Sequence, residues 1–271
     1  MLPGGSPLFG LGTVAGCLGF VNAGFEIAEQ VRSGSMPEPD YIFIAAGSTG
    51  SVTGLILGCK LAGLKTKVAA VQVSEGLVTN PASIERNVRN TLKMMRKADP
   101  IVPDISITYP DGFLFFDKYL GSAYGCMTRA GLDAVDTVAR LEGDKGFHLE
   151  TTYTGKACAA MFDFMKATPA GDGKTVLFWN TYNSRDLSDL ARKSNYSYEK
   201  LPKAFHKFFN EKLACWQYKE CPEEKRDKCK AYYGDDNRCW VVKELQGGDT
   251  AACADCDARK ELEKRINVEK E

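Results

Sequence analysis

The sequence predicts an α/β fold, a mostly parallel sheet with helices on both faces, followed by a small cysteine-rich C-terminal module. Three observations predict it. Apolar runs of strand length alternate with amphipathic stretches of helix length up to about Ser184, as in a parallel sheet covered on both sides. One of those runs, Tyr41-Ile42-Phe43-Ile44-Ala45-Ala46, opens directly into Gly47-Ser48-Thr49-Gly50-Ser51-Val52-Thr53-Gly54 and then into a helical pattern. Beyond Ser184, Tyr, Lys, Asp, Glu and Arg dominate and cysteine becomes dense.

Val21, Phe25, Ala28 and Val31 fall on one face of a first helix, ahead of the Tyr41–Ala46 strand. The helix after the glycine-rich turn runs from Leu55 to Leu64, and the next strand from Val68 to Val73. Asn80-Pro81 opens a helix whose apolar stripe is Ile84, Val88, Leu92 and Met95, with Glu85, Arg86, Arg89, Lys93 and Arg96 as its solvated face. Ile105 to Tyr109 reads as a third strand stopped by Pro110-Asp111-Gly112. Leu132, Val135, Val138 and Leu141 mark a helix closed by Gly143 as its C-terminal cap. Phe147 to Thr151 reads as a strand, Ala157 to Met165 as a helix, and Thr175 to Trp179 as the last strand.

The strand that breaks into Gly47–Gly54 has the makings of an anion site. First-turn N–H groups of a helix lack intrahelical partners, the helix start is electropositive, and glycines and hydroxyls let an anion approach. The ligand read from this loop carries a phosphate. No G-x-x-x-x-G-K-[ST] is present, and Gly47, Gly50 and Gly54 miss the G-x-G-x-x-G spacing of a dinucleotide fold, although Glu75 after the next strand could imitate that fold's ribose-binding carboxylate.

The 271 residues are 44% hydrophobic and 26% charged, enough for one sizeable core and an appendage. Thirty-five basic residues balance thirty-five acidic ones, so no net field favours nucleic acid or a membrane surface. No apolar run reaches the ~20 residues of a spanning helix. Val14-Ala15-Gly16-Cys17 imitates a lipoprotein cleavage site, but no Lys or Arg precedes Cys17, and the expected location is cytoplasmic.

Short segments in a fixed order carry a resemblance. They are Pro3-Gly4-Gly5-Ser6, then Leu18-Gly19-Phe20-Val21-Asn22-Ala23 with Phe25-Glu26-Ile27-Ala28-Glu29-Gln30, the glycine-rich loop, and Tyr124-Gly125 with Ala130-Gly131-Leu132. Tyr153-Thr154-Gly155-Lys156-Ala157 and Val176-Leu177-Phe178-Trp179-Asn180-Thr181 complete them. Up to about Ser184 the chain resembles the pyridoxal 5'-phosphate (PLP) enzymes of the D-cysteine desulfhydrase and 1-aminocyclopropane-1-carboxylate deaminase family. The resemblance implies part of a fold-type-II PLP scaffold and a lyase or deaminase acting on a small amino acid. It implies that Gly47, Ser48, Thr49, Gly50 and Ser51 hold the PLP phosphate and that Tyr124 and Tyr153 are catalytic. Thr181 would place its hydroxyl at the pyridine nitrogen, where a neutral partner does not force protonation. Tyr182-Asn183 stand where the family usually has two glycines.

In that family the Schiff-base lysine precedes the Pro-Gly-Gly-Ser segment. The expectation is therefore an N-terminally incomplete PLP-binding domain (1–184), the C-terminal part of a longer enzyme through a truncated reading frame or a split gene, with a separate N-terminal segment or a homodimer as its partner. Lys156 reads as a helix-start lysine, not the Schiff-base lysine. The alternative is a catalytically inactive scaffold or sensor whose cysteine-rich tail binds metal or senses redox state.

Residues 185–212 read as a linker and 213–271 as the tail, closed by a solvated helix from about Ala258. Cys215, Cys221, Cys229, Cys239, Cys253 and Cys256 are its candidate metal ligands, for zinc or an iron–sulfur cluster. Cys253-Ala254-Asp255-Cys256 supplies the close thiolate pair such sites use. Reduced or redox-active thiols and disulfides are the other readings. The Cys215-Trp216, Cys221, Cys229-Lys230-Ala231-Tyr232 and Cys239-Trp240 pieces resemble a small bacterial module with repeated Cys-Trp pairs. Cys17, Cys59, Cys126 and Cys158 read as buried small hydrophobes.

Overall fold

The computed structural model describes residues 14–143, 146–168 and 173–183. In the tail it describes 185, 190, 193, 200–202, 215–226, 229, 239–245 and 247–260. The Pro3-Gly4-Gly5-Ser6 segment, most of the 185–212 linker and the end of the closing helix lie outside the described residues. The chain divides into two compact units, Met1–Tyr182 and Asn183–Glu271.

The first unit is the expected α/β layer structure. Its elements are α1 (Val14–Arg32), β1 (Tyr41–Ala46), α2 (Gly50–Leu61), β2 (Lys67–Gln72), α3 (Pro81–Ala98), β3 (Leu114–Phe116), α4 (Arg129–Glu142), α5 (Thr154–Ala167) and β4 (Val176–Phe178). The four strands lie in the order β3-β2-β1-β4, all parallel, with Tyr41 opposite both Lys67 and Val176. Alternation along β1 serves both faces. Ile42, Ile44 and Ala46 join Leu55 and Leu57 of α2 and Ile84 and Val88 of α3 in one core. Phe43 points the other way, with Ala69 and Val71, onto Ala157 and Ala160 of α5. α4 packs outside α5 through Ala134, Val138, Cys158 and Ala159.

Local chemistry explains the boundaries. Asn80 caps α3 by accepting the Ser83 N–H at 2.8 Å, with Pro81 at the first helical position. Thr128 caps α4 in the same way, and Gly143 ends it at φ 66°.

Three expectations are corrected. α1 buries Cys17, Val21, Gly24, Ile27 and Ala28, while Phe25 is 40% exposed. The helix is rotated because Gly24 faces α2: a Cβ there would strike the backbone of Gly58 and Cys59, and one on Gly58 the Val21 carbonyl. Ile105–Tyr109 is irregular, and the third strand is Leu114–Phe116, after the turn instead of before it. The Tyr109 N–H is taken by the Glu85 carboxylate at 2.8 Å, and Gly112 closes the turn onto the Thr108 carbonyl at 2.7 Å. Phe147–Thr151 is also no strand, because Glu150 folds its side chain over the start of α5.

In the second unit the described elements are α6 (Cys215–Tyr218), α7 (Glu223–Arg226), α8 (Cys239–Leu245) and a 3₁₀ turn (Ala251–Cys253). Cys215, Cys256 and Ala258 form a buried cluster, with Trp216 and Cys239 packed against it.

Candidate active site

The Gly47–Ser51 loop leaves the carboxyl end of β1, where ligands of open parallel sheets bind. Thr49 is left-handed, at φ 67°, and α2 starts at the next residue. A left-handed residue followed by right-handed ones turns successive N–H groups to one side. That conformation is uncommon for threonine, and here it is held from outside. Asn87 Nδ2 of α3 donates to Thr49 Oγ1 at 2.8 Å. Ser74 Oγ donates to the Gly47 carbonyl at 3.2 Å, Thr79 Oγ1 bonds to the same oxygen, and the two hydroxyls are 2.5 Å apart.

A cavity of about 510 Å³ opens beside this loop. Gly47, Ser48 and Ser51 line one side, and Ser74, Glu75 and Val78, after β2, line another. Tyr124, Tyr153 and Thr181 close it. The two tyrosine rings meet edge to face at 6.0 Å, and their hydroxyls are hydrogen-bonded to each other.

Each tyrosine is set by a carboxylate. The Tyr124 N–H donates to Glu75 Oε1 at 3.0 Å. The Tyr153 N–H donates to both oxygens of Glu150, at 2.9 and 3.0 Å, and the N–H groups of Thr152 and Thr154 reach the same carboxylate at 2.7 and 2.5 Å. Thr181 follows β4 and stays at the cavity despite Tyr182-Asn183. The Tyr182 N–H is taken up by Asn180 Oδ1 at 3.0 Å.

The structure thus brings six of the eight expected cofactor and catalytic residues to one cavity: Gly47, Ser48, Ser51, Tyr124, Tyr153 and Thr181. Thr49 and Gly50 are not in its lining. Thr49 is 2% exposed and its Oγ1 accepts from Asn87 Nδ2. Lys156 is fully buried, with Nζ donating to the Leu120 carbonyl at 2.8 Å, and is not in the lining either. Ser74, Thr79, Asn87 and Glu150 were not singled out from the sequence. Asn87 had a visible signal, a polar residue on the apolar face of α3 between Ile84 and Val88. Glu150 had one too, an acid just ahead of a helix start.

The expected tail metal centre finds no support among the described residues. Among the described residues no three His, Cys, Asp or Glu side chains are grouped to hold a metal ion. Cys215, Cys239 and Cys256 pack together, whereas Cys221, Cys229 and Cys253 stay half-buried outside that cluster. The Cys239 thiol, hydrogen-bonded to Cys215, is raised by that contact and by burial. Burial pushes the Cys59 and Cys158 thiols up to about 12, while the Cys239 S–H bonded to Cys215 holds the Cys215 thiol below its ordinary range. Among the described residues no helix is long and apolar enough to cross a membrane.

Comparison with known proteins gives the family. The chain is 28% identical over 169 residues to a D-cysteine desulfhydrase of Klebsiella pneumoniae (strain 342), covering 61% of this chain and 46% of that protein. It therefore spans about half the length of that curated relative. A crystal structure of an ACC deaminase homologue aligns with a TM-score of 0.47 and 23% identity, over 61% of this chain and 45% of its own. The family described as pyridoxal-phosphate dependent enzyme matches residues 7–181. That match covers nearly all of the parallel-sheet unit and well over half of the chain, which belongs to the pyridoxal-phosphate dependent enzyme family.

Proposed function

We propose that this chain supplies the phosphate-binding side of a PLP-dependent lyase or deaminase acting on a small amino acid, in the manner of a D-cysteine desulfhydrase or an aminocyclopropanecarboxylate deaminase. The observation that supports it most is the Tyr124–Tyr153 hydroxyl pair in the same cavity as the Gly47–Ser51 loop.

The lining fits the cofactor. A phosphate dianion needs several neutral donors and a helix start, and the loop side offers the Gly47 backbone, two serines and the first turn of α2. The cavity volume is that of a small-molecule site. Thr181 offers a neutral hydroxyl for the pyridine nitrogen. When bound, PLP supplies an electron sink for charge developing on the substrate carbon.

The protein's own part is positioning and proton handling. With Tyr124 and Tyr153 sharing one hydrogen bond, ionising either hydroxyl leaves an oxygen stabilised by the other's O–H. Such a pair can give a proton from one hydroxyl and take it back on the same oxygen, while the other's O–H steadies the charge left in between. Glu150 fixes one tyrosine's backbone and Glu75 the other's, so the pair meets the substrate in one geometry.

The test is ligand discrimination by the chain itself. PLP should quench protein fluorescence at least tenfold more tightly than pyridoxal, which lacks the phosphate. Ser51→Asp, on the cavity wall, and Gly50→Asp should both remove that preference while the circular dichroism spectrum of Ser51→Asp is kept. Equal binding of PLP and pyridoxal, or an unaffected Ser51→Asp protein, would overturn the phosphate assignment. On the protein as isolated from its source, Tyr153→Phe should abolish release of hydrogen sulfide from D-cysteine or of ammonia from the cyclopropane amino acid.

A further inference from the structure

The densest chemistry outside the cavity lies in the second unit. Cys215 begins α6 and is 4% exposed. Cys239 begins α8 and packs against the Cys215, Cys256 and Ala258 cluster, beside Trp216. Cys215 and Cys239 share one packed cluster, close enough that each thiol is the main influence on the ionisation of the other. Two thiols from different helices are thus already side by side, with no third ligand grouped around them among the described residues. The Lys219 N–H lies on the Cys215 carbonyl at 2.9 Å. Its ammonium is hydrogen-bonded to Cys256, within electrostatic reach of Cys239 and Cys253.

Cys59 and Cys158 are buried in apolar clusters that hold no other cysteine among the described residues. Cys215 has Cys239 packed against its own cluster. Because Cys215 is nearly closed off, the oxidant that reaches it must be small. We propose that Cys215 and Cys239 are a reversible dithiol–disulfide pair oxidised by a small hydroperoxide.

The chemistry balances as follows. The Cys215 sulfur attacks one peroxide oxygen, the O–O bond breaks, and hydrogen peroxide leaves as water after taking up the thiol proton. Cys215 is then a sulfenic acid. The Cys239 sulfur attacks the Cys215 sulfur and displaces the hydroxyl, which takes the Cys239 proton and leaves as a second water. Two electrons pass from the dithiol to the peroxide, and a small dithiol reverses the link by exchange. The link ties α6 to α8 across a segment with few buried apolar residues among those described. This assignment stands on the second unit alone, so it can fail without touching the PLP reading.

The experiment uses the full chain, isolated anaerobically, treated with stoichiometric hydrogen peroxide, alkylated and mapped by mass spectrometry. A Cys215–Cys239 cross-linked peptide should appear and vanish on treatment with dithiothreitol. Cys59 and Cys158 should still be alkylated after denaturation. In Cys239→Ser, Cys215 should accumulate as a sulfenic acid trapped by dimedone, and Cys215→Ser should lose both signals. If either variant fails to fold, the wild-type map decides. A link from Cys215 to Cys256 or Cys253 in place of Cys239, an unreacted Cys215, or a stoichiometric metal that protects both thiols would overturn the proposal.

Discussion

Both oxygens of the Glu150 carboxylate accept the backbone N–H of Tyr153, three residues further along the chain. The same carboxylate takes the Thr152 and Thr154 N–H groups and the Thr154 hydroxyl. One side chain therefore covers the donors that open α5 and fixes where the tyrosine stands. Hydrogen bonds to a charged acceptor contribute about 1.5–3 kcal/mol. Glu150→Ala is expected to lose about that much stability in urea titration, and Glu150→Gln, which keeps an acceptor oxygen, clearly less. Equal losses in the two variants would show that the charge and its N–H partners are not what holds the turn.

Asn87 gives the second expectation. Replacing it by Leu leaves the Thr49 hydroxyl buried without its donor, a loss of about 1–3 kcal/mol. Thr49 also holds a left-handed conformation that a loosened loop can relax. PLP affinity should fall in Asn87→Leu along with thermal stability. A stable protein with unchanged PLP binding would separate the loop's geometry from α3.

The α1–α2 contact gives the third. A Cβ on Gly58 would meet the Val21 carbonyl and the Gly24 backbone, which no rotamer change relieves. Gly58→Ala is expected to cost about 1–3 kcal/mol, as overpacking does, even though alanine favours helix more than glycine does. A stabilised variant in chemical denaturation would mean the helices lie further apart.

Asp40 gives a pH dependence. Its carboxylate accepts the Thr175 N–H at 2.8 Å and pairs with Lys174 at 3.1 Å, which together hold it below the usual carboxylate range. A depressed folded-state pKa stabilises the protein above the unfolded-state value, and the contribution is lost as pH falls through the folded-state value. Asp40→Asn should therefore have a lower Tm than wild type at neutral pH, with the difference closing on acidification below pH ~4. A difference constant across that range would remove the carboxylate from the account.

Some of this was open to reading from the sequence. β1 and its loop were, because a continuous apolar run ending in Gly-Ser-Thr-Gly has few other uses. α3 was, because its apolar stripe and its Asn-Pro start agree. Ile105–Tyr109 and Phe147–Thr151 were not. Five residues with apolar side chains at alternate positions can also lie in an irregular segment when side chains such as Glu85 and Glu150 take the N–H groups a ladder would use. Six of the expected site residues line one cavity, but residue type does not fix direction. Thr49 has the right hydroxyl in the right loop and turns it to Asn87. In the tail, cysteine density suggested a ligand set, whereas among the described residues Cys215, Cys239 and Cys256 pack in one buried cluster.

The glycines between α1 and α2 have one more consequence. Where two helices touch through long side chains, small displacements are absorbed by rotamers. Here backbone rests on backbone at Gly24, Gly54 and Gly58, and α2 begins inside the Gly47–Ser51 loop. The two helices form a stiff lever whose near end is the loop itself, so a push along α1 arrives there as movement of the groups that face the anion.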